Sequence, residues 1–194
     1  MNITGLILAG GRGSRMGSVD KGLQPFKGVP MIGHVILRLQ PQVDEIIINA
    51  NRSGDEYASF GHRVIADSIE GFAGPLAGLY VGMTHAAHPL VATAPCDSPF
   101  LPTDLVARLL DAMLRNDADL TVAKTFDQPH PVFCLVKSSL SPHLAAFLAS
   151  GQRKIDKWYA TLKVVEVQFD DKEAAFSNIN TIDELQSFER STPK

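Results

Sequence analysis

The stretch LILAGGRGSRMGSVDK, Leu6 to Lys21, decides the fold. Its first residues belong to an apolar run, Ile3 to Leu8, that reads as a strand buried on both faces. The run then breaks into a loop carrying Gly10, Gly11, Gly13 and Gly17. Glycine permits positive φ and close approach of backbone to ligand, so such a loop can aim several N–H groups at one anion. Arg12, Arg15 and Lys21 add cations, and Asp20 directly precedes the lysine. A cationic, glycine-rich turn after the first strand of an α/β sheet is a setting for phosphates. Two better-known phosphate loops do not fit. Gly11, Gly13 and Gly17 space as G-x-G-x-x-x-G rather than G-x-G-x-x-G, and Lys21 is followed by Gly22 where a P-loop needs Ser or Thr. An ordinary surface βα loop is the plain alternative, and the cations gathered among the glycines weigh against it.

Working outward, Pro30 opens a predicted helix through MIGHVILRLQ that ends before Pro41, and Val43–Ala50 reads as a second buried strand. His62–Ala66 is a third short strand, Pro75–His88 a helix, and Leu90–Ala94 a fourth strand ending in PCDSPF. Pro102–Arg115 is helical with Leu105, Val106, Leu109, Leu110 and Met113 on one face, and Asp119–Lys124 is again strand-like. This alternation predicts an α/β fold with a mostly parallel sheet covered on both sides. Gln128–Val136 carries prolines inside an extended segment and reads as an edge or antiparallel strand. Ser141–Ala149 is a short helix, and Gly151-Gln152-Arg153-Lys154 is a basic turn opening another. Leu162–Phe169 alternates as a half-buried strand, and Thr181–Glu189 closes the chain as a helix with a capping box from Thr181 to Glu184.

At 194 residues the chain makes one domain with room for a core. Its 45% apolar and 20% charged residues are those of a soluble globular protein, and a net charge of −3 gives no basic footprint for nucleic acid. Cys96 and Cys134 form neither a disulfide framework nor a CxxC metal motif, so a reducing, cytoplasmic setting fits. The start of the chain reads as a strand rather than a signal peptide, and no apolar run nears the roughly 18 residues of a membrane span.

Ligands of such sheets bind beyond the C-terminal strand ends. The glycine loop, Asn49–Arg52, Asp67 and Asp97 all fall there, which predicts one site. Asp97 ends an apolar strand opposite the phosphate loop, where a carboxylate suits Mg²⁺, an ion that completes its shell with substrate phosphates and water. A helix cap is the alternative for Asp97, though Thr103 and Asp104 lie nearer the next helix. Asp67 can bond a base or ribose, or simply begin a turn. Asn49 and Asn51 can read a base edge with donor and acceptor together, or form the turn after their strand. His85 and His88 look like surface residues without further ligands, and Cys96 has no evident histidine to activate it.

The motif LAGG-x-G-x-RMG-x-x-x-K, Leu8 to Lys21, resembles the signature loop of nucleotidyltransferases that activate sugars, cytidylate small alcohols or modify molybdopterin. With NANR (Asn49–Arg52), GPLAG (Gly74–Gly78), PCDSPF (Pro95–Phe100) and NINT (Asn178–Thr181), the resemblance narrows to the molybdenum cofactor guanylyltransferases, the MobA family, from Leu6 to about Leu185. It implies a three-layer αβα, Rossmann-like nucleotidyltransferase fold over residues 1–194, with a nucleotide half over roughly 1–100 and an acceptor half over roughly 101–194. It implies transfer of GMP from GTP to the terminal phosphate of molybdopterin, with GTP and the molybdenum cofactor as substrates and Mg²⁺ as the metal. It also implies nucleotide contacts from Leu8, Ala9, Gly10, Gly11, Lys21, Asn49, Asp67 and Asp97, with Asp97, Lys21 and Arg15 carrying the reaction and Asp97 the metal. Asn178 and Asn180 match the motif associated with molybdopterin, Arg153 and Lys154 are candidates for its phosphate, and His130-Pro131 resembles a pair lining the cleft. Other cofactor-biosynthesis proteins and molybdoenzyme chaperones follow as partners. The alternatives are a cytidylyltransferase for the same pterin, a sugar-phosphate nucleotidyltransferase, and a nucleotide- or cofactor-binding protein without chemistry.

Overall fold

A computed structural model describes residues 2–9, 20–68 and 74–176. Nine strands run in chain order as β1 (Ile3–Leu8), β2 (Pro25–Phe26), β3 (Val29–Pro30), β4 (Glu45–Asn49), β5 (Arg63–Ile65), β6 (Leu90–Pro95), β7 (Leu120–Thr125), β8 (Gln128–Lys137) and β9 (Val164–Gln168) among the described residues. The helices are α1 (Met31–Leu39), α2 (Gly54–Ala58), α3 (Pro75–His85), α4 (Leu105–Asn116), α5 (Ser141–Ala149) and α6 (Ile155–Tyr159). The main sheet has the order β5-β4-β1-β6-β8-β7-β9, and β8 alone runs against the others. The expected α/β sandwich with one antiparallel strand is therefore present.

Strand pleat sorts the core into two layers. Ile3 and Ile7 of β1 and Ile46 and Ile48 of β4 pack with Ile32, Val35 and Leu39 of α1 and Leu105, Leu109 and Met113 of α4. Leu6 and Ile47, one residue out of phase, pack with Leu76, Leu79 and Met83 of α3, Leu144 and Leu148 of α5, and Trp158 of α6. That alternation is the period of two of a strand with both faces buried. It explains why β1 and β4 read as unbroken apolar runs.

Of the two readings of Gln128–Val136, edge or antiparallel, the strand is antiparallel and not at an edge. It lies between β6 and β7. Its prolines are tolerated because β6 pairs with it only at Leu135, Val136 and Lys137, beyond both Pro129 and Pro131. Against β7 the register jumps from Val122↔Cys134 to Ala123↔His130, a bulge that takes up Pro131. β2 and β3 form an antiparallel hairpin that the apolar pattern does not announce. Lys27 and Gly28 both have positive φ (51° and 79°), the two-residue turn whose twist suits a hairpin. The helix over Pro102–Arg115 starts later, at Leu105, and the helix over Pro75–His88 stops earlier, at His85. The closing helix over Thr181–Glu189 lies outside the described residues.

Candidate active site

The chain leaves β1 for β4 on one side and later crosses to β6 on the other, so the sheet changes winding direction beside β1. Crevices form at the C-terminal strand ends of such a switch point. Two backbone bonds keep these ends level: the Ala9 amide donates to the Asn49 carbonyl at 2.8 Å, and the Cys96 amide donates to the Leu8 carbonyl at 3.1 Å. Leu8, Ala9, Asn49 and Asp97 are thus neighbours across three strands.

Asp97 directly follows Cys96 at the end of β6. Among the described residues it is the buried charged side chain, 9% exposed. Lys21, on the one-turn helix Lys21–Leu23, brings Nζ to 3.5 Å from its Oδ2. Burial raises the Asp97 carboxyl above its ordinary value, and the Lys21 ammonium opposes part of that rise. A buried carboxylate with one cationic neighbour is a place where further positive charge is favourable. Two residues 76 apart in sequence meet here, as one shared site requires.

A second group sits at the ends of β4 and β5. Asn49 Nδ2 donates to Asp67 Oδ1 at 2.9 Å and to the Ile65 carbonyl at 3.2 Å. Asn51 Nδ2 donates to Asp67 Oδ2 at 2.7 Å, while its own Oδ1 accepts from the Asp67 amide at 2.8 Å. Both asparagines therefore orient one carboxylate. The register Asn49↔Ile65 makes this possible, because it leaves Asp67 just past the end of β5. Asn49 is buried, and the first turns of α3 lie against it. A Cβ on Gly78 would stand 2.2 Å from Asn49 Oδ1 and 2.8 Å from Leu8 Cδ2. The GPLAG string thus supplies a close approach of helix to strand end, which only glycine allows.

The remaining candidates are placed differently. Arg153 and Lys154 are exposed on the turn between α5 and α6, in an element separate from the Asp97–Lys21 pair. His130 stacks on Phe176, with ring centroids 4.7 Å apart, and its Nε2 lies 2.7 Å from Thr125 Oγ1. Burial pushes the Cys96 thiol up, so it stays protonated and is a poor nucleophile. Gly10, Gly11, Arg15, Asn178 and Asn180 lie outside the described residues. Sequence reasoning passed over Tyr57, which is fully buried and donates its hydroxyl to Asp20 Oδ1. It stands in GDEYASF, where a lone tyrosine carries no motif.

The MobA-like NTP transferase domain family matches residues 5–166. A protein of Cupriavidus necator named molybdenum cofactor guanylyltransferase is 55% identical over 97% of this chain and 96% of its own length. One of the same name from Bordetella petrii is 54% identical over 95% of this chain and 96% of its own. Among solved structures, molybdopterin-guanine dinucleotide biosynthesis protein A of Archaeoglobus fulgidus superposes with a TM-score of 0.81 at 23% identity, covering 96% of this chain and 97% of that one, and supports the fold. A matched domain over most of the chain and full-length relatives above half identity establish the family: the chain belongs to the MobA-like NTP transferases, among the molybdenum cofactor guanylyltransferases.

Proposed function

We propose that the protein transfers GMP from GTP to the terminal phosphate of molybdopterin, with or without bound molybdenum, releasing pyrophosphate. The observation that carries the reading is the 3.5 Å meeting of Lys21 and buried Asp97 at the switch-point crevice. An oxygen of the pterin phosphate attacks the α-phosphorus of GTP. A new P–O bond forms, and the bond from that phosphorus to the α,β-bridging oxygen breaks with its electron pair leaving on pyrophosphate. The second pKa of a phosphate monoester is near ~6, so the nucleophile is largely dianionic at neutral pH and needs no general base. That agrees with a Cys96 thiol held protonated.

The reaction needs suppressed repulsion between anions. Lys21 and Arg15 supply fixed positive charge, and Leu8, Ala9, Gly10 and Gly11 supply the backbone that cradles the triphosphate. Asn49 and Asp67 hold the guanine nucleoside, with Asn51 fixing the Asp67 carboxylate. Asp97 is the residue that would hold Mg²⁺. The donor set fits, because one buried carboxylate is what Mg²⁺ takes from a protein when phosphates and water complete its shell. No group of three metal-ligating side chains occurs among the described residues. Bound there, the ion would neutralise charge on the phosphates. Catalysis is then positioning plus electrostatic stabilisation.

The nucleotide belongs to the half over roughly 1–100 and the acceptor to the half over roughly 101–194 of one domain. Arg153, Lys154, Asn178 and Asn180 are the proposed acceptor contacts. A cytoplasmic setting suits the reaction, and no described helix is long and apolar enough to cross a membrane. Enzymes of the same cofactor route and chaperones of the receiving molybdoenzymes are the protein partners this implies. The test is pyrophosphate release with each of the four nucleoside triphosphates, with and without molybdopterin. Release from GTP, dependent on the pterin, is expected. Preference for CTP, or binding of GTP without any release, overturns the reading.

A further inference from the structure

We propose that Tyr57 is a positioning residue that latches the Asp20–Gly22 segment and so holds Lys21 against Asp97. This rests on the site reading above and adds a residue that none of the motifs contains. Tyr57 lies on α2, the short helix in the connection from β4 to β5, and is fully buried. Its amide donates to the Ser53 carbonyl at 3.0 Å, which fixes the helix just beyond Asn51. Its hydroxyl donates to Asp20 Oδ1. The contact is tight along the whole segment: a Cβ on Gly22 would lie 2.6 Å from the Tyr57 hydroxyl and 3.0 Å from both Cβ and Sγ of Cys96. Three successive residues are therefore registered on two elements. Asp20 meets Tyr57, Lys21 meets Asp97, and Gly22 meets Tyr57 and Cys96.

The latch has a direction. Burial raises the tyrosine hydroxyl far above its ordinary value, so it remains the donor. Burial also raises the Asp20 carboxyl, and the hydrogen bonds from Tyr57 and the Gly22 backbone oppose that rise and favour the carboxylate as acceptor. A hydrogen bond to a charged partner is the stronger kind and geometrically exacting. Through it, the connection that ends β4 with Asn49 and Asn51 also fixes the cation of the crevice. The base end and the phosphate end of the nucleotide site are thereby set by one short connection.

The experiment compares Tyr57→Phe, Lys21→Ala and the double variant by GTP titration, kcat/KM for GTP and Tm. Phenylalanine keeps the buried ring and removes only the donor, so Tm falls by no more than about 3–10 °C, the worth of one hydrogen bond to a charged group in a chain of this size. The expected loss in kcat/KM is about tenfold to a hundredfold, the worth of one hydrogen bond to a charged group. In the Lys21→Ala background Tyr57→Phe should cost little more, because residues acting through one another are not additive. Asp20→Asn, which still offers an oxygen to the hydroxyl, should retain more activity than Asp20→Ala. A normal Tyr57→Phe beside an impaired Lys21→Ala overturns the latch alone, as does full additivity in the double variant. Should Tyr57→Phe lower Tm steeply, the Asp20 pair decides, and equal loss in both Asp20 variants overturns the latch. A normal Lys21→Ala overturns the latch together with the site reading beneath it.

Discussion

Replacing Gly78 by alanine tests whether α3 and the end of β4 are as close as the site requires. In an ordinary helix interior the change stabilises, since alanine is favoured over glycine by about 1 kcal/mol. Here the new methyl has no room. It would stand 2.2 Å from Asn49 Oδ1, 3.0 Å from Asn49 Cγ and 2.8 Å from Leu8 Cδ2. Real Cβ contacts do not fall below 3.0 Å, so the Asn49 amide has to retreat by most of an ångström. Asn49 is buried, and its Nδ2 is committed to the Ile65 carbonyl and to Asp67. Retreat therefore strains both bonds. Overpacking of this kind costs about 1–3 kcal/mol, and weakening a hydrogen bond to a carboxylate adds about 1 kcal/mol or more. Set against the helix gain, the net is a destabilisation of about 1–3 kcal/mol.

Urea unfolding measures that change, and titration with GTP measures what happens to the nucleotide. A displaced Asn49 should weaken GTP binding by about tenfold, the worth of one well-placed hydrogen bond. Gly54→Ala is the control, because nothing lies within 4 Å of its new methyl. It should unfold and bind like the parent. A Gly78→Ala protein that is more stable than the parent and binds GTP normally would refute the reasoning, since Asn49 would then have slack that the packing denies.

Asp97→Asn should reduce turnover by at least about 10²–10³, the scale of losing one fixed electrostatic group in a reaction centre. The same variant should be more stable than the parent when free of ligand at neutral pH. Because burial raises the folded-state value of this carboxyl, its ionisation opposes folding above that value, and the advantage of asparagine should fade as pH falls through it. Thermal melts at several pH values check the sign, and a less stable Asp97→Asn at neutral pH is the contrary result. Asp119 should behave in the opposite sense. The Lys163 amide at 3.2 Å, followed by Lys137 Nζ at 3.2 Å, holds its carboxyl below the ordinary range. Its contribution is present above about pH 4 and is lost as pH falls through the folded-state value, so Asp119→Asn should be less stable at neutral pH and match the parent in acid.

How far the sequence discloses this molecule depends on the range of each interaction. The buried strands declare themselves locally, since Ile3–Leu8 and Leu90–Pro95 need apolar residues on both faces wherever they sit in the sheet. The positions of Asn49, Asp67 and Asp97 at strand ends follow from the same local reading. Their mutual bonds do not. The Asn49–Asp67 contact depends on the register of β4 on β5, and Lys21–Asp97 depends on how β6 enters beside β1. For β8 the prolines leave edge and antiparallel placements open, because they speak only for their own N–H groups. Whether those groups face a neighbour is decided by where β6 stops pairing. Tyr57 was illegible for a related reason: a buried tyrosine needs an acceptor, and nothing local says that it is Asp20, 37 residues earlier.

The antiparallel strand bears directly on a reaction between two anions. β6 is paired with β1 to its last residue, at Leu8↔Pro95, but with β8 only as far as Ala92↔Leu135. Parting two central strands would ordinarily leave backbone groups without partners. Thr93 removes that cost. Its hydroxyl donates to the Val132 carbonyl at 2.7 Å and accepts from the Cys134 amide at 3.2 Å, so a side chain takes over where the ladder stops. A parallel strand in the place of β8 would point its own C-terminal end into the same rim. An antiparallel one brings its start there instead, with the bulge that carries Pro131. Asp97 therefore follows a strand whose end is held on the β1 side and released on the β8 side. Thr93→Val, which keeps the shape and removes the hydroxyl, would leave that parting without its hydrogen bonds and should weaken the rim before it weakens the core.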